Sequence, residues 1–97
     1  MTAPSHLSAE STEFWLWCTA EFELDKQHLL TLQAALEAWD RGQEARLAVD
    51  EFGILVDGRY GARQNPAVAV EKDSRLAFLR AMRELDLEGE PLPTPRR

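Results

Sequence analysis

The sequence predicts a mainly α protein: three helices with a long central helix and a short β-hairpin before the last helix, assembling as an oligomer. Three observations carry that expectation. Residues 26–52 keep apolar side chains at helical spacing without a break. The stretch that follows, Ile54-Leu55-Val56-Asp57-Gly58-Arg59-Tyr60-Gly61, is short, begins with β-branched residues and is punctuated by glycine, which is the pattern of a hairpin. Asn65-Pro66 then restarts a helix, because Asn caps and Pro fits the first helical position. The chain has 97 residues and reads as one structural domain. A chain of that size buries only roughly 60–65% of the surface its unfolded form exposes, so its own core is marginal.

Taken in order, residues 1–7 are expected to be flexible. Ser8 caps the first helix, with Glu10 and Glu13 complementing its positive end. Phe14, Trp17, Cys18 and Phe22 recur at helical spacing, and Trp15 falls off that series. Leu24-Asp25 marks a break, with Asp25 capping the second helix from about Lys26 to Phe52. This helix carries two apolar stripes. Leu29, Leu32, Leu36 and Trp39 form one; Ala35, Ala38, Gly42, Ala45, Val49 and Phe52 form the other. A globular helix normally needs one. The small residues Ala35, Ala38, Gly42 and Ala45 are therefore expected to meet a neighbouring subunit, together with Leu76 and Leu79 of the last helix. The alternative is a central helix buried within its own subunit.

Gly53 is expected to be a left-handed C-cap, with Ile54 reaching Val49 in a Schellman arrangement. The hairpin, at about 54–64, turns either at Asp57-Gly58 in a type I′ turn or over a longer tip supported by Gly61. The third helix runs to about Asp86. It places Ala67, Val70, Ala77, Phe78, Ala81 and Leu85 on one face, with Val68, Leu76 and Leu79 roughly opposite. Residues 8–87 thus form the helical oligomerisation domain, and the Pro-rich residues 88–97 are expected to be a disordered tail.

The net charge of −6 is unevenly spread. Up to residue 58, eleven acids face only Lys26, Arg41 and Arg46. From 59 to 83, Arg59, Arg63, Lys72, Arg75, Arg80 and Arg83 face only Glu71 and Asp73. An acidic chain is a poor general polyanion binder, but a local basic zone still touches phosphate, more so when symmetry repeats it. Three Trp and four Phe are a large aromatic load for one small core, which points to partner surfaces. The single Cys18 cannot form an intramolecular disulfide and reads as a small buried hydrophobe of a cytoplasmic protein. Its apolar run, Phe14–Cys18, is too short to cross a membrane, and Met1–Ser5 shows no secretory signal pattern.

Catalytic and metal chemistry find no support in the pattern. His6 and His28 stand in no metal-ligand spacing, and there is no phosphate loop, dinucleotide fingerprint or nucleophile elbow. Glu37 with Arg41 and Arg46 with Asp50 read as solvated i,i+4 pairs. No enzyme activity, cofactor or metal is expected.

The element order comes with local strings. They are His6-Leu7-Ser8 leading into Glu13-Phe14-Trp15, then Glu37-Ala38-Trp39-Asp40-Arg41 and Gln43-Glu44-Ala45-Arg46. The hairpin from Gly53 to Gly61 follows, then Asn65-Pro66-Ala67-Val68 and Arg80-Ala81-Met82-Arg83-Glu84-Leu85. Together, over about residues 6–87, they resemble the small terminase subunits of tailed phages and related gene-transfer particles. The resemblance implies a ring-forming homo-oligomer without catalysis of its own. Such a ring engages viral-type double-stranded DNA and regulates the large terminase subunit, the ATPase and nuclease of genome packaging. Members of that family usually carry an N-terminal extension, often basic, ahead of the matched part. Only Met1–Ser5 precede it here, so weak DNA contact with little sequence preference is the expectation.

DNA contact is expected from Arg59 and Arg63, supported by Lys72 and Arg75, because between Asp57 and Glu71 those two arginines are the only charged residues. Tyr60 between them either stacks on a base or sugar or packs against the hairpin base. The arginines have an alternative role as partners for acids of a neighbouring subunit. The tail, through Pro91, Leu92, Pro93, Arg96 and Arg97, is the expected tether for the large subunit. Two other functions remain open: a DNA-binding transcriptional regulator, for which no helix-turn-helix spacing is evident, and a helical oligomeric scaffold.

Overall fold

Five elements follow one another: α1 (Ala9–Glu21), α2 (Lys26–Phe52), β1 (Leu55–Gly58), β2 (Gly61–Gln64) and α3 (Pro66–Leu85). This is the mainly α architecture expected, three helices with a hairpin before the last. The structure, a computed structural model, describes residues 1–87. The expected tail, with Pro91, Leu92, Pro93, Arg96 and Arg97, lies outside the described residues.

Ser8 begins α1 as its N-cap, its Oγ accepting the Ser11 N–H at 3.1 Å. The cap is then tied to α2. Asp40 accepts hydrogen bonds from the Ser8 N–H (2.8 Å), the Ser8 hydroxyl (2.6 Å) and the Ser11 hydroxyl (2.6 Å). A carboxylate thus sits at the positive end of α1, supplied by another helix. Partial burial pushes Asp40 upward, yet the hydrogen bonds from Ser11 and Ser8 outweigh it and hold the carboxyl below its ordinary value.

Of residues 1–7, expected to be flexible, three meet the helices, while Met1, Thr2 and Ser5 stay exposed. Leu7 is a buried core residue, Ala3 packs against the core, and His6 Nε2 lies 2.7 Å from Glu37 Oε2. Glu37 also accepts from Gln33 Nε2 at 3.0 Å, so it is bonded to Gln33 and His6 rather than paired with Arg41 as the spacing suggests. Those bonds, from Gln33 first and His6 second, hold its carboxyl below the usual value. Arg46 and Asp50 do form the expected i,i+4 pair, at 4.0 Å.

The core joins Leu7, Trp15, Cys18, Leu32, Leu36 and Leu85, with Leu29 and Met82 packed beside it. On α1 the inward line is Ser11, Trp15 and Cys18, not the Phe14-Trp17-Phe22 series. Trp15 is 4% exposed and Trp17 50%. A serine in the inward line hides its periodicity from a hydrophobic reading. The aromatic series stacks on itself instead, Phe14 to Trp17 at 5.7 Å and Trp17 to Phe22 edge-on at 5.6 Å. Cys18 is fully buried, and burial pushes its thiol up to about 11. Native protein should therefore resist a thiol-specific disulfide reagent at neutral pH and react only once denaturant opens α1; rapid labelling of the native chain would contradict this burial.

α3 returns antiparallel along α2. Gly42 faces Ser74, and Trp39 packs against Phe78 with ring centroids 5.0 Å apart and the planes tilted by 52°. A Cβ on Gly42 would lie 3.3 Å from the Ser74 Cβ, Ala35 is fully buried, and Ala45 is 6% exposed. This corrects the interface expected on the small-residue stripe. Ala35, Ala38, Gly42 and Ala45 let α3 approach within the same subunit. Leu76 and Leu79, the other residues expected there, stay about half-exposed on the outer side of α3.

At the far end of α2, Gly53 takes φ +86° and ψ 172° and donates its N–H to Val49 O at 2.7 Å. Gly53 thus has the positive φ expected of a glycine cap, but its ψ lies outside the left-handed helical well, so the helix ends on an ordinary helical bond rather than in a Schellman turn, and Ile54 remains exposed. The structure measures 59 × 30 × 18 Å, with a radius of gyration of 16.9 Å against about 13 Å for a compact domain of 100 residues. That elongation leaves large apolar side chains on the surface. Among the described residues no helix is long and apolar enough to cross a membrane.

Candidate functional site

The hairpin is the one element that keeps to itself. Its strands pair in antiparallel register, Leu55 with Gln64, Val56 with Arg63, Asp57 with Ala62 and Gly58 with Gly61, and every residue of β2 is exposed. A two-stranded hairpin is marginal alone. Here its base is clamped by Asn65, which is 6% exposed. The Asn65 N–H donates to Ile54 O (2.8 Å), its Nδ2 donates to Gly53 O (2.8 Å), and its Oδ1 accepts from the Ala67 N–H (3.0 Å). One residue therefore caps α3, satisfies the carbonyl leaving α2 and closes the hairpin between them.

The register settles the turn. Arg59 and Tyr60 form a two-residue tip between Gly58 and Gly61. Neither takes a positive φ, so the turn is not the type I′ form that Asp57-Gly58 offered; Gly61, at φ +114°, supplies the positive φ. Gly58 is required for a different reason. A Cβ there would fall 2.8 Å from Gly61 O and 2.9 Å from the Arg63 Cδ. The missing side chain leaves room for the Arg63 stem to lie across the end of the ladder and toward the tip.

Tyr60 is 94% exposed, so it does not pack against the hairpin base. The Arg59 guanidinium stands 5.8 Å from its ring centroid, within cation–π range. Arg59 and Arg63 are both exposed and make no ion pair among the described residues. The hairpin thus presents two cations and an aromatic face at one projecting point, a combination suited to phosphate and a stacked base or sugar. Lys72 and Arg75 belong to α3 rather than to the hairpin. Lys72 lies about 9 Å of helix rise beyond Pro66. Arg75 is turned to Glu71 at 3.4 Å along the cleft between α2 and α3.

Sequence reasoning read Asn65 as a helix cap only; its bonds to Gly53 and Ile54 depend on chain ends twelve residues apart meeting. Elsewhere, an apolar hollow between the helices is lined by Phe14, Leu36, Trp39 and Phe78. Its polar neighbours are already engaged, Glu10 accepting from the Trp39 indole at 3.0 Å and Ser11 donating to Asp40. Among the described residues no group of three or more His, Cys, Asp or Glu is placed to hold a metal ion. Compared with known protein families, with characterised proteins and with solved structures, the chain matches none.

Proposed function

We propose that this chain is a small terminase subunit, a ring-forming adaptor without catalysis of its own. In this reading it engages viral-type DNA weakly and regulates the large terminase ATPase and nuclease during genome packaging in the cytoplasm of the producing cell. The observation that carries the reading is the hairpin tip, where Arg59 and Arg63 flank Tyr60 and make no ion pair among the described residues, on a chain of net charge −6. The order of helices around it is also the one that the resemblance implies.

A single tip offers about two phosphate contacts, which are weak and lost as salt rises. A ring holding many tips multiplies them through avidity. The expected result is that wild-type protein retains duplex DNA at low salt and releases it with a steep salt dependence. The double variant Arg59→Glu, Arg63→Glu should lose retention with its assembly mass unchanged. A collapsed assembly would instead assign both arginines to a neighbour's acids. Wild-type protein that holds no DNA at any salt removes the DNA role and leaves the adaptor role, which a pull-down with the large subunit tests separately.

A further inference from the structure

We infer that the outer face of α1 in one copy of this chain docks on the outer face of α3 in the next. This deepens the proposed homo-oligomeric subunit and rests on that reading. The basis is a pair of helix faces with the same layout and opposite charge.

On α1, Glu13, Leu16, Trp17 and Glu21 follow i, i+3, i+4, i+8 spacing and share one side of the helix. Leu16 is 48% exposed and Trp17 50%, so two large apolar residues sit between two glutamates. Trp17 is braced by Phe14 and Phe22 on either side, which fixes the indole before any partner arrives. On α3, Lys72, Leu76, Leu79, Arg80 and Arg83 follow i, i+4, i+7, i+8, i+11 spacing. Leu76 is 50% exposed and Leu79 48%, again two apolar residues among charges, here the cations Lys72, Arg80 and Arg83, with the acids Asp73, Glu84 and Asp86 at the margins of the face.

Among the described residues no ion pair uses either face. The pairs there are His6–Glu37, Arg46–Asp50 and Arg75–Glu71, and none uses these glutamates or Lys72, Arg80 and Arg83. Residues 1–25 contain no Lys or Arg at all. Docking like on like would set glutamates against glutamates or cations against cations, with the apolar pairs between them. Docking unlike faces buries Leu16 and Trp17 against Leu76 and Leu79 while opposite charges meet at both ends. Because the two faces belong to different helices, the contact is heterologous, and each copy has one face of each kind to offer. Repetition of such a contact builds a closed ring where the rotation closes, and the Arg59-Tyr60 tip takes no part in it.

Charge reversal tests the inference. Glu13→Lys, Glu21→Lys turns the α1 face basic; Arg80→Glu, Arg83→Glu turns the α3 face acidic. All four positions are exposed, and each variant should keep wild-type helicity by circular dichroism. Each alone should fall from the oligomer to a single-chain mass by native mass spectrometry, and mixing the two should restore a large assembly because every junction is again complementary. Variants that keep the wild-type mass, or a mixture that stays monomeric, overturn the inference. If a variant loses helicity, wild-type protein still decides. Raising salt from about 0.1 M to about 1 M shortens the Debye length from about 10 Å to about 3 Å, and the assembly should loosen at least tenfold in protein concentration. Salt-indifferent assembly overturns the complementarity. A wild-type chain that is monomeric at every concentration defeats the oligomeric reading itself, whereas an oligomer unmoved by every variant and by salt defeats only these two faces.

Discussion

Replacing Gly42 with Leu should unfold the subunit's helical pair before it affects any partner. Ser74 already lies 3.3 Å from where a Cβ would sit, so a leucine must push Ser74 aside and turn its branched end into the cleft between α2 and α3, among Trp39, Arg75 and Phe78. Overpacking at a close helix crossing costs about 1–3 kcal/mol. That is a large share of the roughly 5–15 kcal/mol that holds a domain of this size together. The midpoint in urea should fall, and the melting temperature should drop by at least about 4 °C, compared at one protein concentration. Gly42→Ala is the control. Its gain in helix propensity, about 1 kcal/mol, opposes the few tenths of an ångström that Ser74 must yield, so its stability should stay within about 1 kcal/mol of wild type. A Gly42→Leu variant as stable as wild type, yet smaller in assembly, would return the small-residue stripe to a role between subunits.

Asp40→Ala should release α1 from α2 while leaving the α2–α3 pair helical. The carboxylate receives three hydrogen bonds from Ser8 and Ser11, and hydrogen bonds to a charged group contribute about 1.5–3 kcal/mol each when buried. Asp40 is only partly buried, so the total loss should be about 2–3 kcal/mol rather than their sum. The reporter is Cys18, fully buried on the inward side of α1, which should become accessible to the thiol reagent in this variant at denaturant concentrations where wild type stays protected. Acid should act in the same direction. The folded carboxyl titrates below its ordinary 3.8, so its contribution is fully present above about pH 4 and is lost as pH falls through the lower folded value. Glu37, also held low, adds to that slope. Asp40→Asn should flatten the acid limb of a stability–pH curve; an unchanged limb would assign the acid sensitivity elsewhere.

The helices were legible because each announces its own ends. Ser8 and Asn65 are caps whose partners lie two or three residues away, Pro66 needs no N–H, and the apolar spacing of 26–52 holds for the full 27 residues of α2. Other details were not local. His28 turns its Nδ1 back to accept the Asp25 N–H at 3.1 Å, an end-of-helix bond that a histidine rarely advertises. Of the candidate site, the tip residues Arg59, Tyr60 and Arg63 were readable as an uncancelled basic segment. Which glycine turns the chain was not, because Gly58 and Gly61 are both compatible with a turn and only the strand register separates their roles.

The sequence alone determined the number, order and type of the elements and the uneven distribution of charge, since propensity, capping and ionisation belong to short stretches of chain. The tertiary structure alone decided which apolar surfaces are used up. Ala35, Ala38, Gly42 and Ala45 look like any small-residue seam until α3 is laid against them, and Trp15 and Trp17 differ by only two residues in the chain but by 4% against 50% in exposure. A helical period states which residues share a face, but burial depends on what lies across from that face. That partner is fixed by the antiparallel return of α3 through the Asn65 clamp and by the pinning of α1 on Asp40, contacts between residues distant in the chain.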